Sequence, residues 1–284
     1  MMSYITRFLF FTVFFIQFTV TSPIIAAPSK NAAILYNLNT GKILYEHNAN
    51  VQIPPASLTK IMTMFLTFDA IKNNKISINN KIRINKQTAH IGGSTMFLRN
   101  NESVPIIRLL TGMAVASGND AAMAIAFYIG KSTSKFVKLM NQKAQKLGLK
   151  NTVFKNPTGL PAQGQKTTAK DMLILSKAYI TTHPNAMRFH STQFFLHNGR
   201  VLHNTNNLLG NVSGVNGLKT GFTLASGYNI IITATRNKTK LLLIILGEKT
   251  KENRDWRARR ILEAGFKYPL SPQKIRYYLH GSKS

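Results

Sequence analysis

Cysteine is absent from the 284-residue chain. That excludes a disulfide framework and any thiolate metal site, and it suits an oxidising compartment. Acids are scarce: nine Asp and Glu face 37 Lys and Arg, for a formal charge of +28. No acid at all falls between Asp120 and Asp171. No internal repeat or low-complexity linker breaks the chain, which leaves one large domain or two closely joined lobes. The seven histidines include His183, His190, His197 and His203, yet no His-Glu-x-x-His and no close acid accompanies them. They read as exposed or structural residues rather than zinc ligands. No metal and no organic cofactor is expected.

The amino terminus is more informative. Arg7 precedes an apolar run, Phe8 to Val20, and no further charge appears before Lys30. With the small pair Ala26-Ala27 this reads as a secretory signal over residues 1–26; the alternative is an uncleaved membrane anchor. Both readings put the remainder outside the cytoplasm, in the periplasm or on the outer face of the cytoplasmic membrane. Removing residues 1–26 takes away one arginine and no acid, leaving +27. Export and the scattered placement of the cations argue against nucleic acid as a partner. Two readings of the charge stand: attraction to an anionic membrane or wall surface, or a generally basic, solvated surface.

Strands are expected at Ala32–Asn37 and Lys42–Glu46, and again at Gly217–Thr220, Tyr228–Thr235 and Leu241–Leu246. Helices are expected over Ser57–Ile71, Pro105–Ala116, Asp120–Ile129, Ser134–Leu147, Thr168–Thr181 and Asn253–Ala264. Strands at both ends around a run of helices imply an α+β architecture, a mostly antiparallel sheet with a helical lobe. Residues 27–268 form the expected catalytic domain, and 269–284 a short basic tail with no second domain. The first helix is apolar on nearly every side, so it is expected to be buried all round.

Three short motifs follow in order: Ser57-Leu58-Thr59-Lys60, Ser117-Gly118-Asn119 and Lys219-Thr220-Gly221. Each alone is weak, since Ser-x-x-Lys recurs at Ser132–Lys135 and Ser271–Lys274. Order and spacing carry the weight: Ser117 follows Ser57 by 60 residues and Lys219 follows it by 162. Ser57 and Lys60 share one helical face at i and i+3. Serine is a poor nucleophile until a base takes its proton. A lysine amine does so only when neutral, a state favoured by burial beside a second cation such as Lys219. Ser117 has the donor and acceptor capacity to relay a proton to a leaving nitrogen. Asn119 is suited to bind a carbonyl and an N–H of a peptide-like substrate. Lys219 and Thr220, with Gly221 permitting close backbone approach at an edge strand, are suited to hold a carboxylate. The backbone N–H groups of Ser57 and Phe222 form the expected oxyanion hole.

The stretches around these motifs are Pro55-Ala56-Ser57-Leu58-Thr59-Lys60, Ser94-Thr95-Met96-Phe97-Leu98, Ala116-Ser117-Gly118-Asn119-Asp120-Ala121, Gly148-Leu149-Lys150-Asn151-Thr152 and Gly217-Leu218-Lys219-Thr220-Gly221-Phe222-Thr223. Together, across residues 30–268, they resemble the D-alanyl-D-alanine carboxypeptidases, low-molecular-mass penicillin-binding proteins of the serine peptidase type. The resemblance implies a β-lactamase/D,D-peptidase-like fold and an acyl-enzyme that removes the terminal D-alanine of peptidoglycan stem peptides. It also implies covalent inhibition by β-lactam antibiotics. Carried over by motif, Ser57 is the nucleophile, Lys60 the base, Ser117 and Asn119 the second element, and Lys219, Thr220 and Gly221 the third. Some relatives carry histidine where this chain has Phe222, so only the backbone role transfers.

Rival readings remain open inside the family: a D,D-endopeptidase or a D,D-transpeptidase shares the same acylation half. A class A β-lactamase needs a glutamate well after the second motif, and the acid-free stretch after Asp120 argues against it. A non-catalytic penicillin-binding sensor is the lower alternative. Lys249 and Arg254 read first as a solvated helix start and second as help for a substrate carboxylate. Ser94-Thr95-Met96 is expected to be structural.

Overall fold

The computed structural model describes residues 31–281; the signal or anchor expected over residues 1–26 lies outside them. In chain order, β1 (Ala32–Asn37) and β2 (Lys42–His47) form a hairpin, and a 3-10 turn, Ala56–Thr59, runs into α1 (Lys60–Lys72). Next come β3 (Lys81–Arg83), α2 (Lys86–Ala89), β4 (Ser103–Pro105), α3 (Ile106–Val115), α4 (Asn119–Gly130), α5 (Thr133–Lys146) and α6 (Ala169–Thr182). A short α7 (Met187–His190) leads to a ribbon of β5 (Phe194–His197) and β6 (Arg200–His203). The chain then enters β7 (Val215–Thr223), β8 (Gly227–Arg236) and β9 (Thr239–Glu248), and closes with α8 (Lys251–Lys267) and α9 (Pro272–His280).

The first two strands and the last three do form one antiparallel sheet, in the order β2-β1-β9-β8-β7. β8 and β9 carry near-continuous apolar runs because both faces of the sheet are covered. Alternation still sorts their side chains. Ile231, Leu242, Ile244 and Leu246 enter the core shared with the helical lobe. Ile230, Ile232, Leu241, Leu243 and Ile245 enter a second core beneath α8, against Ala258, Ile261 and Leu262. α1 is buried almost all round, as its sequence predicts, with Ile61, Met62, Met64 and Phe65 inside.

Two differences from the expected elements matter. Ser57 lies in the 3-10 turn ahead of the α-helix rather than in it. Residues 272–280 form α9, with Ser271 accepting the cap bond from Lys274 N–H and Ile275 fully buried. The expected tail therefore contains a helix docked beside β2 and α8. No helix among the described residues is long and apolar enough to cross a membrane.

Candidate active site

Ser57 lines a cleft of about 280 Å³ between edge strand β7 and the helical lobe. Ser117, Thr220, Gly221 and Phe222 line the same cleft, so the three motifs converge although Lys219 follows Ser57 by 162 residues. Behind them lie the polar groups that the wall conceals: Lys60, Asn119 and Lys219, all buried.

Lys60 is the centre of the arrangement. Its Nζ is 2.9 Å from Ser57 Oγ, 2.7 Å from Asn119 Oδ1 and 2.8 Å from the Thr158 carbonyl. Burial, and then the charge of Lys219, hold this amine well below the ordinary lysine value of 10.5, against a smaller opposing effect of Asp120. A neutral amine has two N–H bonds and one lone pair. The carbonyl oxygens of Asn119 and Thr158 accept only, so they take the two N–H bonds. The lone pair is left facing Ser57 Oγ, the geometry required to accept its proton.

Lys219 is equally buried. Burial first, and Arg254 second, push it down to about 7. Its Nζ donates to the Thr220 carbonyl at 3.0 Å, while Thr220 Oγ1 donates to Thr205 Oγ1 at 2.7 Å. Gly221 lets β7 lie against the Ser57 turn. A Cβ there meets Ser57 N at 3.0 Å and both Ala56 Cβ and Leu58 N at 3.2 Å. This contact brings the Ser57 N–H beside the residue that precedes Phe222. Phe222 itself is half-exposed and stacks on Tyr228, ring centroids 4.3 Å apart.

The backbone around the cleft is held in sparsely populated conformations. Ala56, Phe97 and Ser117 all have positive φ, at 48°, 64° and 59°. Non-glycine residues in this region cost on the order of 1–2 kcal/mol each. Asp120 supplies much of the compensation. Its carboxylate accepts the N–H groups of Met96, Leu98 and Ala121 and the Thr95 hydroxyl, fixing the Ser94–Leu98 wall. The Ser94-Thr95-Met96 segment is thus structural through Thr95 and Met96, while Ser94 lines the cleft.

Asn119 is engaged at both ends within the protein. Its Oδ1 is taken by Lys60 and its Nδ2 donates to the Gly92 carbonyl at 2.7 Å. In the free protein both ends of the amide are engaged in orienting Lys60. Arg254 corrects the reading as a solvated helix start: it is 3% exposed, lines the cleft and donates to Asp255 Oδ1 at 2.6 Å. Lys249 borders a neighbouring cavity instead. The histidines stand in separate places. His183 meets Asp69 at 2.8 Å, His197 lies 3.3 Å from Glu102, and His190 bridges Tyr179 and the Leu218 carbonyl.

Sequence reasoning missed Thr158, Thr205 and Asn207. Thr158 had a signal: Asn156-Pro157-Thr158-Gly159 is turn punctuation, and Asn156 Oδ1 accepts from the N–H groups of both Thr158 and Gly159. Gly159 has φ +85°, and a Cβ there falls 1.7 Å from the Ala56 carbonyl oxygen, so only glycine lets this loop close over the Ser57 turn.

The chain belongs to the D-alanyl-D-alanine carboxypeptidase family, whose sequence signature matches residues 16–250. It is 37% identical over 249 residues to D-alanyl-D-alanine carboxypeptidase DacF of Bacillus subtilis, covering 84% of this chain and 63% of that protein. It is 38% identical over 273 residues to D-alanyl-D-alanine carboxypeptidase DacC of Escherichia coli, covering 92% of this chain and 68% of that protein. The chain thus spans about two thirds of the length of these relatives. A D-alanyl-D-alanine endopeptidase of Pseudomonas aeruginosa is 30% identical, with 91% of this chain and 89% of that protein covered. Among solved structures, penicillin-binding protein 5 of Haemophilus influenzae superposes with a TM-score of 0.80 at 34% identity, covering 83% of this chain and 70% of the other. Penicillin-binding protein D2 of Listeria monocytogenes in its ampicillin-bound form does so with a TM-score of 0.75 at 34% identity, covering 83% and 96%. The fold is that of the penicillin-binding D,D-peptidases.

Proposed function

We propose that this chain is an exported serine-type D-Ala-D-Ala carboxypeptidase. It removes the terminal D-alanine from peptidoglycan stem peptides through an acyl-enzyme and is acylated by β-lactams at the same serine. The observation that carries this reading is the buried Lys60 amine 2.9 Å from Ser57 Oγ, with the Asn119 and Thr158 carbonyl oxygens placed to take two of its N–H bonds.

The order of events follows from the residues. The substrate carboxylate docks against Lys219, Thr220 and Arg254, and its charge draws Lys219 back to the protonated state. Lys60 takes the proton of Ser57 as Oγ attacks the carbonyl of the penultimate D-alanine. The N–H groups of Ser57 and Phe222 hold the oxyanion; an interaction of this kind contributes about 3–4 kcal/mol per donor. Ser117 delivers a proton to the departing amine, and water then releases the acyl group. Ser57→Ala is expected to abolish covalent labelling by a fluorescent penicillin with an unchanged urea unfolding curve; persistent labelling refutes the nucleophile.

A second reading, D,D-endopeptidase, is favoured by one observation: the endopeptidase relative is matched over 89% of its length. Incubation with a monomeric pentapeptide and a cross-linked muropeptide dimer, read by mass spectrometry, separates the two. Loss of one alanine from the monomer alone supports the carboxypeptidase. Splitting of the dimer supports the endopeptidase, and turnover of neither, with a stable Ser57 adduct, supports a sensor.

A further inference from the structure

Most of the few acids of this chain are engaged by its own groups. Asp69, Asp120, Asp171, Glu248, Asp255 and Glu263 all hold buried loops or individual cations. The cations are left to define the surface, and they are joined by apolar side chains in one place. From residue 256 to the end of α9 the chain carries six Lys and Arg and a single acid, Glu263, which is clamped by Arg236 at 2.5 and 2.8 Å.

The outward stripe of α8 places Trp256, Arg260 and Lys267 in one line, one or two turns apart. Arg260 lies over the Trp256 ring at 4.8 Å and reaches the Tyr278 and Leu279 carbonyls of α9. Lys267 lies over both Tyr268 and Tyr278. The two helices thus present a continuous aromatic and cationic face. At its edges stand the largest exposed apolar groups of this region: Trp256 at 58%, Leu270 at 72% and Tyr277 at 66%.

We propose that this face of α8 and α9 docks on an anionic phospholipid surface. Two features select lipid over a hydrated wall polyanion. Lys267, Lys274 and Arg276 supply the charge that either partner rewards. Trp256, Leu270, Tyr277 and Tyr278 supply side chains with an apolar body, most with a polar tip, which gain by entering the boundary between headgroups and acyl chains. A polymer without that boundary gives them nothing. This inference does not depend on the reaction assigned to the cleft.

Trp256 is the only tryptophan in the chain, so its fluorescence reports the face directly. Both cores lie within the chain from residue 27 onward, and that form avoids the apolar leader. It is mixed with vesicles of phosphatidylglycerol and phosphatidylcholine in equal parts, with pure phosphatidylcholine vesicles, and with soluble polyglycerol phosphate. The expected result is a blue shift of Trp256 emission and quenching by brominated acyl chains with the anionic vesicles alone. The triple variant Lys267→Ala, Lys274→Ala, Arg276→Ala is expected to lose about a hundredfold in vesicle affinity, at about fivefold per cation. The variant Lys135→Ala, Lys138→Ala, Lys146→Ala on α5, with the same change in net charge, is expected to lose far less. Penicillin labelling of both triple variants is expected to match the parent and report that they fold. Equal loss in the two variants, vesicle binding without a Trp256 response, or a response to the polymer alone overturns the proposal.

Discussion

Lys219 is placed where folding resists its charge, and the size of that resistance is measurable. An ordinary lysine titrates near 10.5, and this one is held at about 7 by burial and Arg254. Between those values the unfolded chain binds the proton and the folded protein releases it. Stability therefore rises with pH through that window, by about 1.4 kcal/mol per pH unit. Integration gives a penalty of about 4 kcal/mol at pH 7 that shrinks to about 2 kcal/mol at pH 9. Lys219→Met keeps the unbranched stem and removes the amine. It also forfeits the hydrogen bond to the Thr220 carbonyl, a loss of about 1–2 kcal/mol. Lys60 is relieved as well, since Lys219 is the second cause of its depressed value. The variant is thus expected to be more stable than the parent at pH 7, by about 2–3 kcal/mol, with the gap closing by about 2 kcal/mol at pH 9. Urea unfolding of both proteins by circular dichroism at pH 7, 8 and 9 measures this, while penicillin acylation is expected to collapse in the variant. A variant less stable at pH 7, or a gap that does not change with pH, refutes the argument that the cleft is built against the charge it uses.

Gly221→Ala inserts a methyl group 3.0 Å from Ser57 N. Penicillin acylation is expected to fall about a hundredfold by displacement of the nucleophile, and unchanged stopped-flow acylation refutes the close-packing argument. Asp120→Asn puts an amide donor among four donors and is expected to cost about 3 kcal/mol in urea unfolding; a neutral result removes Asp120 as the clasp of the cleft wall. His190, buried beside Tyr179, is held at about 3. Its folded state resists the proton that the unfolded chain takes up below 6.5, so stability falls with pH. Between pH 6 and 4 the parent is expected to lose about 1.4 kcal/mol more per pH unit than His190→Phe, and parallel slopes refute the assignment.

Much of the fold was written locally. The apolar runs of β8 and β9, the all-round apolar α1 and the cap at Thr168, which accepts from Asp171 N–H, each announce their element within a dozen residues. That the first two and last three strands share a sheet was inferable because the long strand patterns lie at the two ends of the chain, with only the short β3–β6 between them. The three motifs of the candidate site were legible for a related reason: serine, lysine and asparagine are conspicuous in apolar surroundings. The rest depended on contacts that no local pattern encodes. The Thr158 carbonyl acts through its backbone, which carries no residue signature. Arg254 looks like any helix-start cation until the fold buries it at the cleft. β5 and β6 are four residues each, too short for alternation to separate them from loop. α9 was hidden by composition, because only Ile275 and the partly buried Leu279 tie its polar sequence to the core.

The strand order has a consequence for distance. α9 sits at the β2 edge of the sheet, and the cleft opens along β7 at the other edge. Four interstrand spacings separate those edges, about 19 Å at the usual strand separation. A sheet covered on both faces does not stretch, so the interval is fixed by backbone hydrogen bonds rather than by a linker. α8 bridges the two: its first turns reach the cleft through Arg254, and its later turns carry α9. Whatever seats on α9 is thereby joined to the cleft by one continuous helix rather than by a flexible tether.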